Sequence, residues 1–428
     1  MKLFFLGAAR EVGRSNFLLE TDGPQKLALF LDAGLKQWDH GELPLDPPRL
    51  PDAILLSHAH LDHCGALPVT YKHEAVPTFC TFPTSPVTQL LLEDSLKIAR
   101  QEKRPSHFSK ADAGKALKNM VCLPYEREYE FFEGTTFEFL DAGHIIGSAQ
   151  TILRTKNKGK SFSLAYTGDF KMTATRVHSG AKPLKEEVDA LVIESTYALR
   201  EHPPREQVEK EFCDAVQGVL DDGGNVLLPC FAVGRTAEIL SVLYENGFRN
   251  DIWVDGMGAK VLQIMCDYPS YVSNYKRLME AFRNSQNIEH HGMRREALEK
   301  PSIIIATAGM LEGGPALGFI EKMNADRKGK HAIFLTGFQV PGTNGDRLLK
   351  EGKIKLKGRI ASIDLPVKQF AFSAHADRKD LLEYVKKASP EKVFCVHGDE
   401  GACEAFAAEL KEQGFDAIAP RAGEQAVL

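Results

Sequence analysis

Three histidines and an aspartate crowd into Ser57-His58-Ala59-His60-Leu61-Asp62-His63, directly after the apolar run Ala53-Ile54-Leu55-Leu56. A short turn leaving a buried strand can aim alternate side chains at two neighbouring points. Imidazole nitrogen and carboxylate oxygen both coordinate zinc, and a pair of divalent ions with shared ligands needs that mixture. A solvated histidine-rich turn needs no aspartate at this spacing. The motif therefore predicts a dinuclear metal site at a strand end.

Other candidate ligands recur in the same setting, at the carboxyl end of an apolar run. Asp32 ends Leu29-Phe30-Leu31, and His144 follows Phe137–Leu140. Asp169 closes Phe162–Gly168, Glu194 ends Leu191-Val192-Ile193, and His397 follows Val393–Val396. Open α/β sheets build their sites where strand ends converge, so these residues are expected to share one sheet edge.

Composition bounds the rest. A chain of 428 residues, 43% apolar and 26% charged, suits a soluble globular protein of two or three domains. A net charge of −5 gives no whole-chain signature of nucleic-acid binding, so any such surface must be local. No apolar run approaches the roughly 18 residues that cross a bilayer, so no membrane partner is expected. Met1–Ala9 imitates a signal peptide but is too short and runs straight into Arg10 and Glu11, so it reads as a first strand. The eight cysteines form no Cys-x-x-Cys pair and several lie in apolar runs, as expected of buried thiols in a cytoplasmic setting.

Along the first 200 residues, short apolar runs alternate with turn signals: Leu3–Leu6, Phe17–Leu19, Leu27–Leu31, Ile54–Leu56, Thr136–Leu140, Thr151–Leu153, Phe162–Tyr166 and Ala190–Ile193. Ser85-Pro86 opens a helical segment to about Arg104. After Pro203-Pro204 the texture changes to amphipathic helices alternating with strand-then-glycine units, the signature of an α/β module. The expected organisation is a domain begun by residues 1–200, interrupted by a module at 201–358 and completed by 359–428.

These residues carry a resemblance. His58-x-His60-x-Asp62-His63 with His144, Asp169 and His397 resembles the metallo-β-lactamase fold, an αββα sandwich in the α/β class. Glu194 in Ile193-Glu194-Ser195-Thr196-Tyr197, His375 in Ser373-Ala374-His375-Ala376-Asp377 and His397 in Val396-His397-Gly398-Asp399 resemble the three further motifs of its β-CASP branch, whose α/β cap is inserted in the sandwich. Within that branch the chain looks most like the short archaeal and bacterial ribonucleases of cleavage-and-polyadenylation-factor type, without KH domains.

The resemblance implies two zinc ions. His58, His60 and His144 would hold one, Asp62, His63 and His397 the other, and Asp169 would bridge them. Asp32 belongs with Asp62, His375 and Glu194 in the catalytic set, best cast as a carboxylate that orients a ligand or the bound water. His375, made more basic by Glu194, would be the general acid for the leaving 3′-oxygen. The implied activity is hydrolysis of single-stranded RNA, internal or from the 5′ end, by a two-metal hydroxide mechanism in RNA processing or decay, with a homodimer as a possible state.

For substrate phosphates, Arg235 stands where a helix begins after Gly234, and Thr307, Gly309, Gly337 and Gln339 lie in glycine-rich segments after strands. Three other readings compete: a small-molecule thioester or ester hydrolase, a DNA-directed nuclease of the same branch, and an inactive scaffold. The inserted module argues against the first, His397 against the second, and the full set of ligand positions against the third.

Overall fold

The structure is a computed structural model that describes residues 1–22, 25–36, 41–157, 159–249 and 251–428. It divides into two compact units. The first comprises Met1–Ala174, Gly180–Glu201 and Ala374–Leu428; the second comprises Thr175–Ser179 and His202–Ser373.

Period-2 patterning builds the first unit. Leu3, Phe5, Phe17, Leu19, Leu29, Leu31 and Leu55 point to one side of their strands and pack with Phe137, Leu153, Leu164, Tyr166, Val192, Phe394 and Val396 in a single core. Their neighbours Phe4, Leu18, Phe30 and Ile54 face the opposite way, against Leu61, Leu67, Tyr71 and Ala116. On the other outer side, Leu191, Ile193, Val393 and Cys395 meet Leu381, Val385, Phe406 and Leu410. Two seven-stranded sheets therefore enclose the central core, and helices cover each outer face.

Each sheet is mixed. The strands Lys2–Phe5, Phe17–Glu20 and Ala28–Leu31 pair antiparallel, and parallel pairing then continues through Ala53–Leu55, Thr78–Thr81 and Met120–Leu123. In the second sheet, Lys160–Tyr166, Ala190–Glu194 and Lys392–Val396 run parallel. The strand Gln425–Val427 pairs with the first strand, in the register Lys2↔Val427. Residues on both sides of the second unit thus complete both sheets of the first.

The second unit carries a six-stranded parallel sheet whose central strands, Val226–Pro229, Ile303–Ala306 and Ala332–Leu335, are buried throughout. The chain rejoins the first unit at Ala374, later than the texture change at 359 suggests. Two reasons are visible. Arg359–Ser362 closes a hairpin with Lys353–Leu356, and Val367–Gln369 adds an edge strand beside Ala332–Leu335. The helix expected from Ser85 begins a residue earlier and spans Thr84–Gln101. Among the described residues, no helix is long and apolar enough to cross a membrane.

Candidate metal centre and active site

The residues of the opening motif leave Ala53–Leu55 and enter the single turn Leu61–Cys64. Close backbone approach makes this turn possible. A Cβ on Gly34 would lie 1.7 Å from the Asp62 carbonyl oxygen, and one on Gly168, whose φ is +53°, would lie 2.7 Å from the Ser57 Cβ. Asp32 and His397 themselves occupy the left-handed region, at φ 62° and 49°. Non-glycine residues are sparse there and cluster at functional sites.

All seven expected ligands meet. Ligand atoms of His58, His60, His144 and Asp169 lie within 4.8 Å of one another, and so do those of Asp62, His63 and His397. Asp169 stands between the groups. Its Oδ2 is 3.6 Å from His58 Nε2, 3.7 Å from His144 Nε2 and 3.4 Å from His63 Nε2, while its Oδ1 is 3.1 Å from His397 Nδ1. His397 Nε2 lies 3.4 Å from Asp62 Oδ2.

Hydrogen-bond bookkeeping tests whether these residues fit a metal. His144 Nδ1 donates to the Ala374 carbonyl at 2.8 Å, which leaves its Nε2 a bare lone pair. His63 Nδ1 donates to Asp32 at 2.6 Å, which turns Nε2 toward Asp169; the two carboxylates overcome burial and raise the His63 pKa, so a cation at Nε2 would take the place of a proton. His58 Nε2 and His144 Nε2 nevertheless approach His60 Nδ1 at 3.2 and 3.1 Å. One ring nitrogen can donate to only one of them.

Burial, reinforced by neighbouring imidazoles, holds the pKa of His58 and His144 well below the usual value, so protonation does not relieve the crowding. Asp169 Oδ1 is buried without a hydrogen-bond donor. Burial alone would raise the pKa of this carboxyl, but His397 and His63 outweigh it and hold it low. Converging lone pairs around an ionised, under-satisfied carboxylate fit a cation, and the donors suit zinc.

Beside the centre, His375 Nδ1 donates to Glu194 Oε2 at 2.9 Å. Burial pulls the pKa of His375 down, but Glu194 prevails and pushes it up to about 8. The other Glu194 oxygen accepts the Phe170 backbone N–H at 2.8 Å, which fixes the carboxylate. Glu194 also falls within ligand range of Asp169 and His397, but these two bonds occupy it. The His375 ring lies 4.6 Å from that of His144, and its side chain keeps 22% exposure.

Asp32, expected to orient a ligand or the bound water, lies against His63. It is fully buried and already accepts from Ser57 N, Ser57 Oγ, Tyr166 OH and His63 Nδ1, each at 2.6 Å. Oδ1 accepts from Ser57 N and Oδ2 from the other three, so both oxygens are engaged inside the protein and one of them fixes His63. Sequence reading overlooked Ser57 and Tyr166. A buried serine directly before the first ligand offers a weak signal for one, and nothing local marks the other.

The expected phosphate residues lie in the second unit, at the carboxyl edge of its parallel sheet. Arg235 opens the helix Arg235–Glu245, with Gly234 at φ 82° before it. The guanidinium lies against Gly337, where a Cβ would be 3.8 Å from Nη2. Gln339 Nε2 donates to the carbonyls of Gly309 and Gly337, both at 3.3 Å, and its buried Oε1 has no partner. Thr307, which follows Ile303–Ala306, accepts from Ala316 N at 2.9 Å. Arg235, Gly309, Gly337 and Gln339 are thus brought together, while Thr307 braces the adjoining loop.

Comparison with known proteins agrees with this geometry. Residues 236–348 match the Beta-Casp domain, and residues 361–420 match the Zn-dependent metallo-hydrolase RNA specificity domain. The chain is 36% identical to the probable RNase MJ4 of Methanocaldococcus jannaschii over 99% of both chains. It is 34% identical to RNase aCSPSF2 of Saccharolobus solfataricus, covering all of this chain and 85% of that one. It is also 33% identical to the transcription termination factor FttA of M. jannaschii, over 95% of this chain and 68% of that one. A protein of unknown function from Enterococcus faecalis shares the fold, with a TM-score of 0.61 at 14% identity over 100% of this chain and 99% of its own. The chain belongs to the β-CASP ribonuclease family of the metallo-β-lactamase fold.

Proposed function

We propose that this ribonuclease holds two zinc ions per chain and hydrolyses phosphodiester bonds of single-stranded RNA in the cytoplasm. The observation that carries the reading is the pair of ligand groups sharing Asp169, with the His375–Glu194 pair beside them. His58, His60 and His144 would take one ion, Asp62, His63 and His397 the other. When bound, the ions supply Lewis-acid polarisation of the phosphate and activation of the attacking water.

The chain's own groups supply the rest. His375 carries a proton that its Nε2 can deliver to the leaving 3′-oxygen, while Glu194 stabilises the charged imidazole and fixes the ring. Asp32 holds His63 by its Nδ1, so that Nε2 is the nitrogen that would bind the ion. Eight free cysteines, most of them buried, suit a reducing cytosol.

Two measurements test this reading directly. Elemental analysis of purified protein should find about two zinc ions per chain, as a closed set of histidine and carboxylate ligands for two sites requires. Dialysis against a chelator should remove cleavage of labelled single-stranded RNA, and added zinc should restore it. Fully loaded protein that hydrolyses a thioester, or only DNA, and leaves RNA intact would overturn the proposal.

In the second unit, Arg235 would grip a backbone phosphate with its planar fork. Arg235→Ala should raise KM for RNA about 10- to 100-fold, the range for losing a charge-assisted hydrogen bond. Arg235→Lys should recover little, because an ammonium lacks the fork. Steady-state kinetics on one RNA decides it, and an unchanged KM in Arg235→Ala removes Arg235 from substrate binding.

A further inference from the structure

We propose that Tyr166 is a positioning residue of the metal centre, acting with Ser57 through Asp32 to fix the tautomers of His58 and His63, one imidazole from each ligand group. The inference rests on reading those groups as metal ligands. Tyr166 ends the strand Lys160–Tyr166 of the second sheet, whereas Asp32 follows Ala28–Leu31 of the first. Its hydroxyl crosses the central core and donates to Asp32 Oδ2 at 2.6 Å. The ring is held edge-on against Phe17, with centroids 5.6 Å apart and planes at 69°. A buried tyrosine hydroxyl needs a partner, and a backbone carbonyl would have served. Here it goes to a carboxylate that other donors already claim.

The hydrogens can be followed one by one. The Ser57 N–H occupies Asp32 Oδ1, and the Ser57 hydroxyl donates to Oδ2. With its only proton spent, Ser57 Oγ can act only as acceptor toward His58 Nδ1, 3.0 Å away. His58 Nδ1 therefore carries the hydrogen, and Nε2 is left as a lone pair. His63 Nδ1 donates to the same Asp32 Oδ2 at 2.6 Å, which turns Nε2 toward Asp169, 3.4 Å away, as the nitrogen offered to a metal. One carboxylate thus sets an imidazole in each group. Tyr166 supplies the donor from the opposite sheet that stops this carboxylate from rotating toward either histidine.

Tyr166→Phe keeps the ring and removes only the donor. Zinc alone is the probe, titrated into metal-free protein against a chromophoric chelator. Tyr166→Phe should weaken zinc binding about tenfold or more, the usual effect of removing a partner of a metal-bound histidine. Nitrogen-15 spectra of the zinc-loaded protein should show His63 bound through Nε2, with its Nδ1–H hydrogen bond to Asp32 intact in the wild type and weakened in the variant. Ser57→Ala, which removes the hydroxyl between Asp32 and His58, should also weaken zinc and disturb His58. Phe17→Leu is the packing control: it lowers the melting temperature but leaves zinc affinity in place.

Zinc affinity of Tyr166→Phe within about twofold of wild type would overturn the proposal. So would an equal loss of affinity in Phe17→Leu, because Tyr166 would then matter only for packing. A wild type that binds zinc but cleaves no RNA would count against the ribonuclease reading and leave this inference standing.

Discussion

Asp62→Ala should abolish RNA cleavage and reduce bound zinc from about two ions per chain to about one. The Asp62 carboxylate faces His397 Nε2 at 3.4 Å and belongs to the ligand group with His63 and His397. Burial would by itself raise its pKa, but the bond to His397 and the nearby His63 hold the carboxyl well below its usual range, ionised and ready for a cation. Removing it leaves that group two imidazoles and a share of Asp169, too little for a closed site. The other group keeps all its own members.

The expected fall in kcat/KM is at least about a thousandfold, because charge stabilisation by one metal is worth several kcal/mol and each 1.36 kcal/mol is a factor of ten. Folding should survive. The Asp62 contact that shapes the turn is its backbone carbonyl, which accepts from Ser15 N at 2.8 Å, and alanine preserves it. Elemental analysis beside a cleavage assay decides the matter. Retention of both ions, or activity within tenfold of wild type, would remove Asp62 from the ligand shell.

His375→Ala should give the complementary pattern, with both metals retained and most activity lost. The ring lies beside the centre but donates to Glu194, and the Ala374 carbonyl that holds His144 belongs to the backbone. Losing a general acid costs about 10²- to 10⁴-fold. The loss should depend on the leaving group. RNA must expel a poorly stabilised 3′-alkoxide, whereas an aryl phosphodiester releases a phenolate that needs no proton. Hydrolysis of bis(p-nitrophenyl) phosphate should therefore be nearly unaffected in His375→Ala while RNA cleavage collapses. Equal losses on both substrates would refute a proton-donor role, and loss of zinc would place His375 among the ligands. Glu194→Gln should show the same leaving-group dependence with a smaller loss, since it acts through His375.

The clustering of the candidate ligands is legible in the sequence because they follow apolar runs, and a run's end on a sheet is a place in space. His58, His144, Asp169 and His397 each announce a strand before them, and the sheets bring those ends together. The partners that orient these ligands left no such mark. Tyr166 reaches Asp32 across 134 positions of sequence, and only the facing of two sheets joins them.

The pairing of Gln425–Val427 with Lys2–Phe5 was hidden for a similar reason: both are short strands whose register depends on the whole sandwich. The helix Lys110–Lys118 is a different case. Ser109 and Asp112 form a reciprocal cap, a signal that is local and already present in the sequence. The later return to the first unit has a plain cause as well. A hairpin and an edge strand carry the same β signature whichever sheet they join.

The order of the ligands along the chain also sets a timetable. Asp169 and Glu194 leave the ribosome before the main segment of the second unit, His202–Ser373, whereas His375 and His397 leave after it. At about 5–20 residues per second, the interval between Asp169 and His397 lasts about 10–45 s. Throughout that time one cluster lacks His397, and Glu194 lacks its histidine for the 181 positions up to His375. The cluster that holds His397 and the Glu194–His375 pair therefore close only when the last part of the chain has been made.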